Sequence, residues 1–189
     1  FIHKIRKEGS NVIRSIILVK FAFELFSFRI TAVERTLILI KPDGIQRGLI
    51  GEVIKRFERK GLKLIGIKMM TLDEAILREH YAHIASKPFY PGVEQFMKST
   101  PVIAMAWEGI EAVETVRLLA GITKSRAAAP GTIRGDYAMS VACNVIHASD
   151  SYDTAVKEVR RFFNPDELFE YDKTEYLHVY LEDEITGNR

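Results

Sequence analysis

A chain of 189 residues, 47% hydrophobic and 28% charged, is long enough for one domain with a sizeable core and is ordinary for a globular protein. Its net charge of +2 makes no electrostatic case for a nucleic-acid binder. The single cysteine, Cys143, excludes an intrachain disulfide and fits a reducing compartment.

The first 33 residues stand apart, with six Lys/Arg against two Glu, and the first methionine is Met69. Residues 16–28 are apolar, but Lys20 and Glu24 interrupt them, so the run is too short and too charged to span a membrane. A clean apolar run with a small-residue cleavage site, as in a secretory signal, is lacking. The reading adopted for 1–33 is a poorly ordered extension of doubtful function. Its basic, acid-poor character leaves organellar import as the minor alternative to the cytoplasm. A chain starting near Thr31 is expected to fold and act as the whole does.

Residues 36–40 form a continuous apolar run, predicted as a buried strand. Leu49, Ile50, Val53, Ile54 and Phe57 recur at helical spacing, and Gly61 stops that helix. Leu62, Leu64, Ile67 and Met69 predict a second strand. Residues 73–96 read as short helices broken around Lys87-Pro88, and 101–107 as a third strand. Ile110, Val113, Val116 and Leu119 form a helical stripe ending at Gly121. The connection 121–143, with Pro130, Gly131 and Gly135, is long enough to be functional or disordered. Residues 144–148 are predicted as the fourth strand. Ala155, Val159, Phe162 and Phe163 face the last helix inward, with Asp150 or Ser151 as its N-cap. Residues 176–181 are expected as a strand or as an arm on a neighbouring subunit. This order is compatible with a ferredoxin-like βαββαβ sandwich of α+β class: a four-stranded antiparallel sheet with helices on its face. Periodicity alone leaves other α/β topologies open.

Three segments carry chemistry. Residues 144–150 read Asn-Val-Ile-His-Ala-Ser-Asp, placing His147 at the end of an apolar run. Residues 129–136 read Ala-Pro-Gly-Thr-Ile-Arg-Gly-Asp. Residues 40–51 read Ile-Lys-Pro-Asp-Gly-Ile-Gln-Arg-Gly-Leu-Ile-Gly. A histidine doing chemistry needs one free ring nitrogen, a group fixing its tautomer, and charge near what it attacks. Taken alone, a histidine is more often a satisfied core residue, Glu158 a solvated helix charge, and each cation a surface charge. His80 and His83, three apart without a third ligand, read as structural, and no protein metal site is predicted. G-x-x-x-x-G-K-[ST], G-x-G-x-x-G and the protein-kinase H-R-D and D-F-G pieces are absent.

In order and spacing, these segments resemble the nucleoside diphosphate kinase family, from Glu34 to about Tyr171. The resemblance implies a domain over 34–175, a C-terminal extension over 176–189, and the ferredoxin-like fold. It implies ping-pong transfer of a γ-phosphoryl group from ATP to nucleoside diphosphates through phosphohistidine at His147. Glu158 is expected to hold the other ring nitrogen, and Ser149 to bond Glu158 or cap the helix. Lys41, Arg117 and Arg134 are implied as phosphate cations, with Tyr81 and Thr123 adding hydroxyl donors. Phe89 is implied as the base-stacking ring, Val141 as the opposite wall, and Asn144 with Lys41 as the ribose contacts. Stacking tolerates every base, because each has a π-face. Mg²⁺ is expected on the nucleotide phosphates, and a homo-oligomer, hexamer favoured over tetramer, as the assembly. Ala148 stands where the family more often has glycine, and Lys87 where arginine is common.

The rival class is a binding module, since such a sheet can bind single-stranded RNA through exposed aromatics. Here 36–40 is aliphatic and the RNP-type aromatic signature is absent. An inactive relative is disfavoured because every main motif position is filled.

Overall fold

The computed structural model describes residues 33–181 together with 183 and 184. Residues 1–32, and with them the expected poorly ordered extension, lie outside the described residues. By its contacts the chain divides into Glu34–Val179 and a second unit of Phe1–Val33 with Tyr180–Arg189. The architecture below is that of the first unit.

The sheet comprises β1 (Val33–Ile40), β2 (Lys63–Met70), β3 (Val102–Ile110) and β4 (Ile146–Ala148), in the spatial order β2-β3-β1-β4. This is the antiparallel ferredoxin-like arrangement that the element order suggested. Alternation along the central strand β1 builds two cores. Ile38 and Ile40 pack with Val53 and Phe57 of α2 (Ile50–Lys60) and Val116 of α5 (Ala112–Ala120). Leu37 and Leu39 face the opposite way, where the core includes Leu77, Met97, Val159 and Phe162. Those side chains come from α3 (Glu74–His80), α4 (Tyr90–Met97) and α7 (Tyr152–Phe162). Helices therefore cover both faces, which explains why β1 is apolar without interruption.

Local chemistry sets the element ends. Gly61, at φ 100°, closes α2 in a left-handed conformation that glycine adopts without a Cβ clash. Ser151, one of the two expected caps, starts α7 by accepting from the Thr154 N–H at 3.3 Å. Two short helices were not expected, and one expected strand is a helix. A short helix α1 (Pro42–Gln46) follows Lys41 directly, with proline at its first position, where a missing N–H costs nothing. The long connection 121–143 is not structureless. It holds a 3₁₀ turn at Ser125–Ala127 and helix α6 (Ile133–Tyr137), capped by the Thr132 hydroxyl. The segment 176–181 contains the short helix α8 (Tyr176–Val179) rather than a strand, and the Tyr176 hydroxyl donates to Glu108 O of the same chain at 3.2 Å. No helix among the described residues is long and apolar enough to cross a membrane.

Candidate active site

The fourth strand is shorter than 144–148 because Val145 has φ 71°, which breaks the extended run. A β-branched residue in this region is strained and persists only where its surroundings hold it. Two contacts do so here. The Asp43 carboxylate accepts from the Val145 N–H at 2.9 Å, and Val145 O accepts from the Lys41 N–H at 2.8 Å. The Lys-Pro-Asp segment thus clamps the backbone two residues before His147.

Strand pairing then aims the histidine. Leu39 lies opposite His147, and Ile40 opposite Ile146. Ile146 enters the core beneath α2 and α5, so His147 projects to the face covered by α3 and α7. Ser149, two residues on, shares that face. On α7, Glu158 is buried in register with Ala155, Val159 and Phe162. His147 Nε2 lies 3.1 and 3.0 Å from the two Glu158 oxygens, and the Ser149 hydroxyl donates to Oε2 at 2.6 Å. Of the two roles expected for Ser149, it takes the bond to Glu158. Burial on its own would raise the Glu158 carboxyl. Hydrogen bonds from His147 and Ser149, with the charge interactions of His147 and His80, hold it below the usual carboxylate range. An ionised carboxylate only accepts, so Nε2 carries the proton and Nδ1 keeps its lone pair. His147 is only partly buried and lines a cleft of about 1030 Å³.

The same cleft collects the residues expected at the phosphates, the base and the ribose. Lys41, Tyr81, Phe89, Arg117, Thr123, Arg134, Val141 and Asn144 line it. Phe89 is 58% exposed and Val141 56%, so neither belongs to the core. Asn144, by contrast, is buried. Its Oδ1 accepts from Lys41 Nζ at 2.7 Å, and its Nδ2 donates to Val141 O at 2.9 Å.

Arg134 lies in α6 rather than in a loop, and it is buried. Its Nη1 donates to Gly121 O at 2.6 Å and its Nη2 to Ile146 O at 2.8 Å, while its Nε is buried without a partner. The guanidinium bridges carbonyls rather than carboxylates, so its charge is not neutralised by these bonds. Burial, and then the nearby Arg117, lower Arg134 to about 10. Burial, and then Arg134, lower Lys41 to about 8, against the opposing influence of Asp43 and Cys143. Burial raises the Tyr81 phenol, which therefore stays a donor.

Sequence reasoning missed two neighbours of the site. Asp43 carried no assigned role, although Lys-Pro-Asp was noted. His80 was read as structural. It is buried, with Nδ1 3.3 Å from Glu158 Oε1 and its ring edge-on to that of His147 at 4.4 Å. The signal lay in Leu77, His80 and Tyr81, whose helical spacing puts His80 on the inward face of α3. His80, His147 and Glu158 also offer ligand atoms within 4.8 Å of one another. The Arg161 Nη1, 3.5 Å from His80 Nδ1, puts a positive charge beside any cation bound there.

The nucleoside diphosphate kinase family model matches residues 34–168. The chain belongs to the nucleoside diphosphate kinase family. It is 53% identical over 152 residues to a nucleoside diphosphate kinase of Parabacteroides distasonis, covering 80% of this chain and 99% of the relative. It is 48% identical over 147 residues to human nucleoside diphosphate kinase A, covering 78% of this chain and 97% of the relative. Among solved structures it resembles a nucleoside diphosphate kinase from Halobacterium salinarum in complex with CDP. There the TM-score is 0.77 at 48% identity, covering 78% of this chain and 99% of the other. It also resembles a transition-state mimic of the Borrelia burgdorferi enzyme with bound vanadate and ADP. The TM-score is 0.73 at 36% identity, covering 78% of this chain and 96% of the other. The chain is accordingly a phosphotransferase with nucleoside diphosphate kinase function.

Proposed function

We propose that this nucleoside diphosphate kinase works by a ping-pong mechanism through phosphohistidine at His147. The observation that carries the reading is a histidine tied through Nε2 to a buried carboxylate, at the wall of a cleft where carbonyls hold the Arg134 guanidinium and an amide oxygen holds the Lys41 ammonium. The Nδ1 lone pair attacks the γ-phosphorus of ATP. An N–P bond forms, the bond to the β–γ bridging oxygen breaks, and ADP leaves with that electron pair. The Nε2 proton stays in place, and Glu158 offsets the positive charge that develops on the ring. A nucleoside diphosphate then enters, its terminal oxygen attacks the same phosphorus, and the N–P bond breaks. Arg134, Arg117 and Lys41 supply the charge that a loose phosphoryl transition state requires.

The related Borrelia enzyme, solved as a transition-state mimic with bound vanadate and ADP, supports phosphoryl transfer, and the CDP complex of the related Halobacterium enzyme supports nucleotide binding. The lining also suits a phosphate-borne Mg²⁺. Asp150 on the cleft wall is held below the usual carboxylate range by hydrogen bonds from Thr154 and Ser151 and can accept from the ion's water shell. When bound, Mg²⁺ would neutralise phosphate charge. Homo-oligomeric assembly, hexamer rather than tetramer, and a cytoplasmic location belong to the same proposal and rest on the family resemblance.

The test is incubation with ATP labelled in the γ-phosphoryl group and Mg²⁺. It should give an acid-labile, alkali-stable phosphoprotein that GDP discharges as GTP. Transfer that requires both nucleotides at once would overturn the reading.

Phe89→Ala should weaken binding of every nucleoside diphosphate about five- to 150-fold, because base stacking is worth roughly 1–3 kcal/mol. Titration with ADP, GDP and CDP checks this. A loss confined to one base would contradict stacking.

Lys41 predicts a pH dependence. The ammonium is charged below about 8 and neutral above it. Bound phosphates favour the charged form, so affinity for ADP should fall as pH rises from 7 to 9.5, and binding above pH 8 should take up a proton. Calorimetry in buffers of different ionisation enthalpy measures that uptake. A flat affinity with no uptake would remove Lys41 from the phosphate site.

A further inference from the structure

We propose that Asp43 is a positioning residue of the transfer: its carboxylate holds Val145 at the centre of a three-residue turn, and that turn brings Asn144 and His147 into one cleft. The inference rests on the phosphohistidine reading and adds to it a group that does not itself line the cleft.

The turn is closed by its own hydrogen bond. The Ile146 N–H donates to Asn144 O at 2.8 Å, and Val145 between them has φ 71°. A bond spanning one residue of positive φ is the γ-turn of the rare, strained kind. Glycine adopts it readily, whereas a β-branched residue does so against its own sterics.

The turn changes which side chains share a face. Along an extended strand, successive side chains alternate between faces. A regular strand from Asn144 to Ala148 would therefore send the side chains of Asn144 and His147 to opposite sides. Instead Val145 and Ile146, adjacent in sequence, both enter the core beneath α2 and α5. Asn144 and His147 both line the cleft. The amide oxygen that accepts from Lys41 Nζ at 2.7 Å thus stands in the same cleft as the reacting histidine.

The segment that follows β1 holds the turn. Val145 O accepts from the Lys41 N–H at 2.8 Å, a bond between backbone groups. The Val145 N–H donates to Asp43 Oδ2 at 2.9 Å, the one of these two contacts that depends on a side chain. Helix α1 lies close against the turn: a Cβ on Gly44 would come within 2.7 Å of Ile40 Cγ2 and 3.1 Å of Val145 O. The other Asp43 oxygen, Oδ1, is buried without a partner, an unmatched acceptor that stabilises nothing. The Asp43 charge also favours the Lys41 ammonium, so acceptor and charge need separate variants.

The experiment compares wild type, Asp43→Asn, Asp43→Ala, Val145→Gly and the Asp43→Ala, Val145→Gly double variant in single-turnover phosphorylation by labelled ATP, with thermal midpoints alongside. Asparagine removes the charge but keeps an acceptor of the same reach, and its amino group falls where Oδ1 already lacks a partner. Alanine removes both. The Val145→Gly change relieves the strain, so the turn no longer needs the carboxylate. Asp43→Ala should slow phosphoryl transfer about ten- to hundredfold, the scale on which a displacement of about 1 Å acts on a reacting group. Asp43→Asn should stay within about fivefold of wild type, because the acceptor remains. Relative to Val145→Gly, the double variant should be slower by less than about threefold, since the two changes act through one contact. The asparagine protein keeps the test intact if the alanine proteins do not fold. An asparagine protein slowed about tenfold or more would assign the effect to charge rather than to the turn. That result, a full alanine loss in the Val145→Gly background, or a wild-type rate in Asp43→Ala would overturn the role of Asp43 and leave phosphohistidine standing. Absence of labelling in the wild type would instead remove the underlying mechanism.

Discussion

A His147→Ala protein should give no phosphoprotein and lose turnover by roughly four orders of magnitude or more, the scale on which covalent catalysis fails when its nucleophile is removed. No neighbour is placed to substitute. The Tyr81 phenol is raised by burial and stays protonated. His80 is buried, with its Nδ1 facing the Arg161 Nη1 at 3.5 Å and its Nε2 without a partner. The histidine is partly exposed and its removal creates no large apolar cavity, so the variant should fold and bind ADP with near-normal affinity. Steady-state turnover, labelling and ADP titration on one preparation check all three expectations. Near-normal turnover would contradict the mechanism.

Arg134→Ala is expected to have the second-largest effect, because one side chain does two jobs. If Arg134 is the cation proposed beside the transferred phosphoryl group, its removal should lower turnover on the order of a hundredfold or more. As the donor that bridges Gly121 O and Ile146 O, its removal also leaves two carbonyls without that partner. Leaving such groups unsatisfied costs about 1–3 kcal/mol each when they are buried. Thermal and denaturant unfolding should therefore show a less stable protein, in contrast to His147→Ala. Arg134→Lys should recover some turnover but little stability, since a point charge cannot span both carbonyls. An Arg134→Ala protein of unchanged stability would show that the two carbonyl bonds contribute nothing.

The sequence was most legible where periodicity and motif agree. The apolar run at 36–40 marks the central strand because helices cover both of its faces. The stripe of Ala155, Val159 and Phe162 marks the inward face of α7, and extending it to Glu158 would have flagged that carboxylate as buried rather than solvated. That the segments carrying His147, Lys41 and Arg134 meet at one cleft agrees with their reading as a set. The strained backbone at Val145 was not, because a left-handed valine has no local sequence signal; it exists only because Asp43 and Lys41 hold it from a distant segment. Helix α6 was hidden by the glycines and proline around it, which suggest loop although Thr132 is a sound cap. His80 was hidden for the opposite reason. Its spacing with Leu77 placed it inside, but only tertiary packing decides that its neighbour there is Glu158. The strand expected over 176–181 is a helix because a short aromatic and aliphatic run does not separate strand from helix.

The most direct test of the account places the phosphoryl group on one atom. Protein labelled with ¹⁵N-histidine is phosphorylated by ATP and Mg²⁺, kept alkaline, and examined for phosphorus–nitrogen coupling. The account predicts coupling to Nδ1 of His147, with Nε2 still protonated and facing Glu158. Phosphate on Nε2, on His80 or on another side chain, or a transfer that leaves no phosphoprotein, would contradict it.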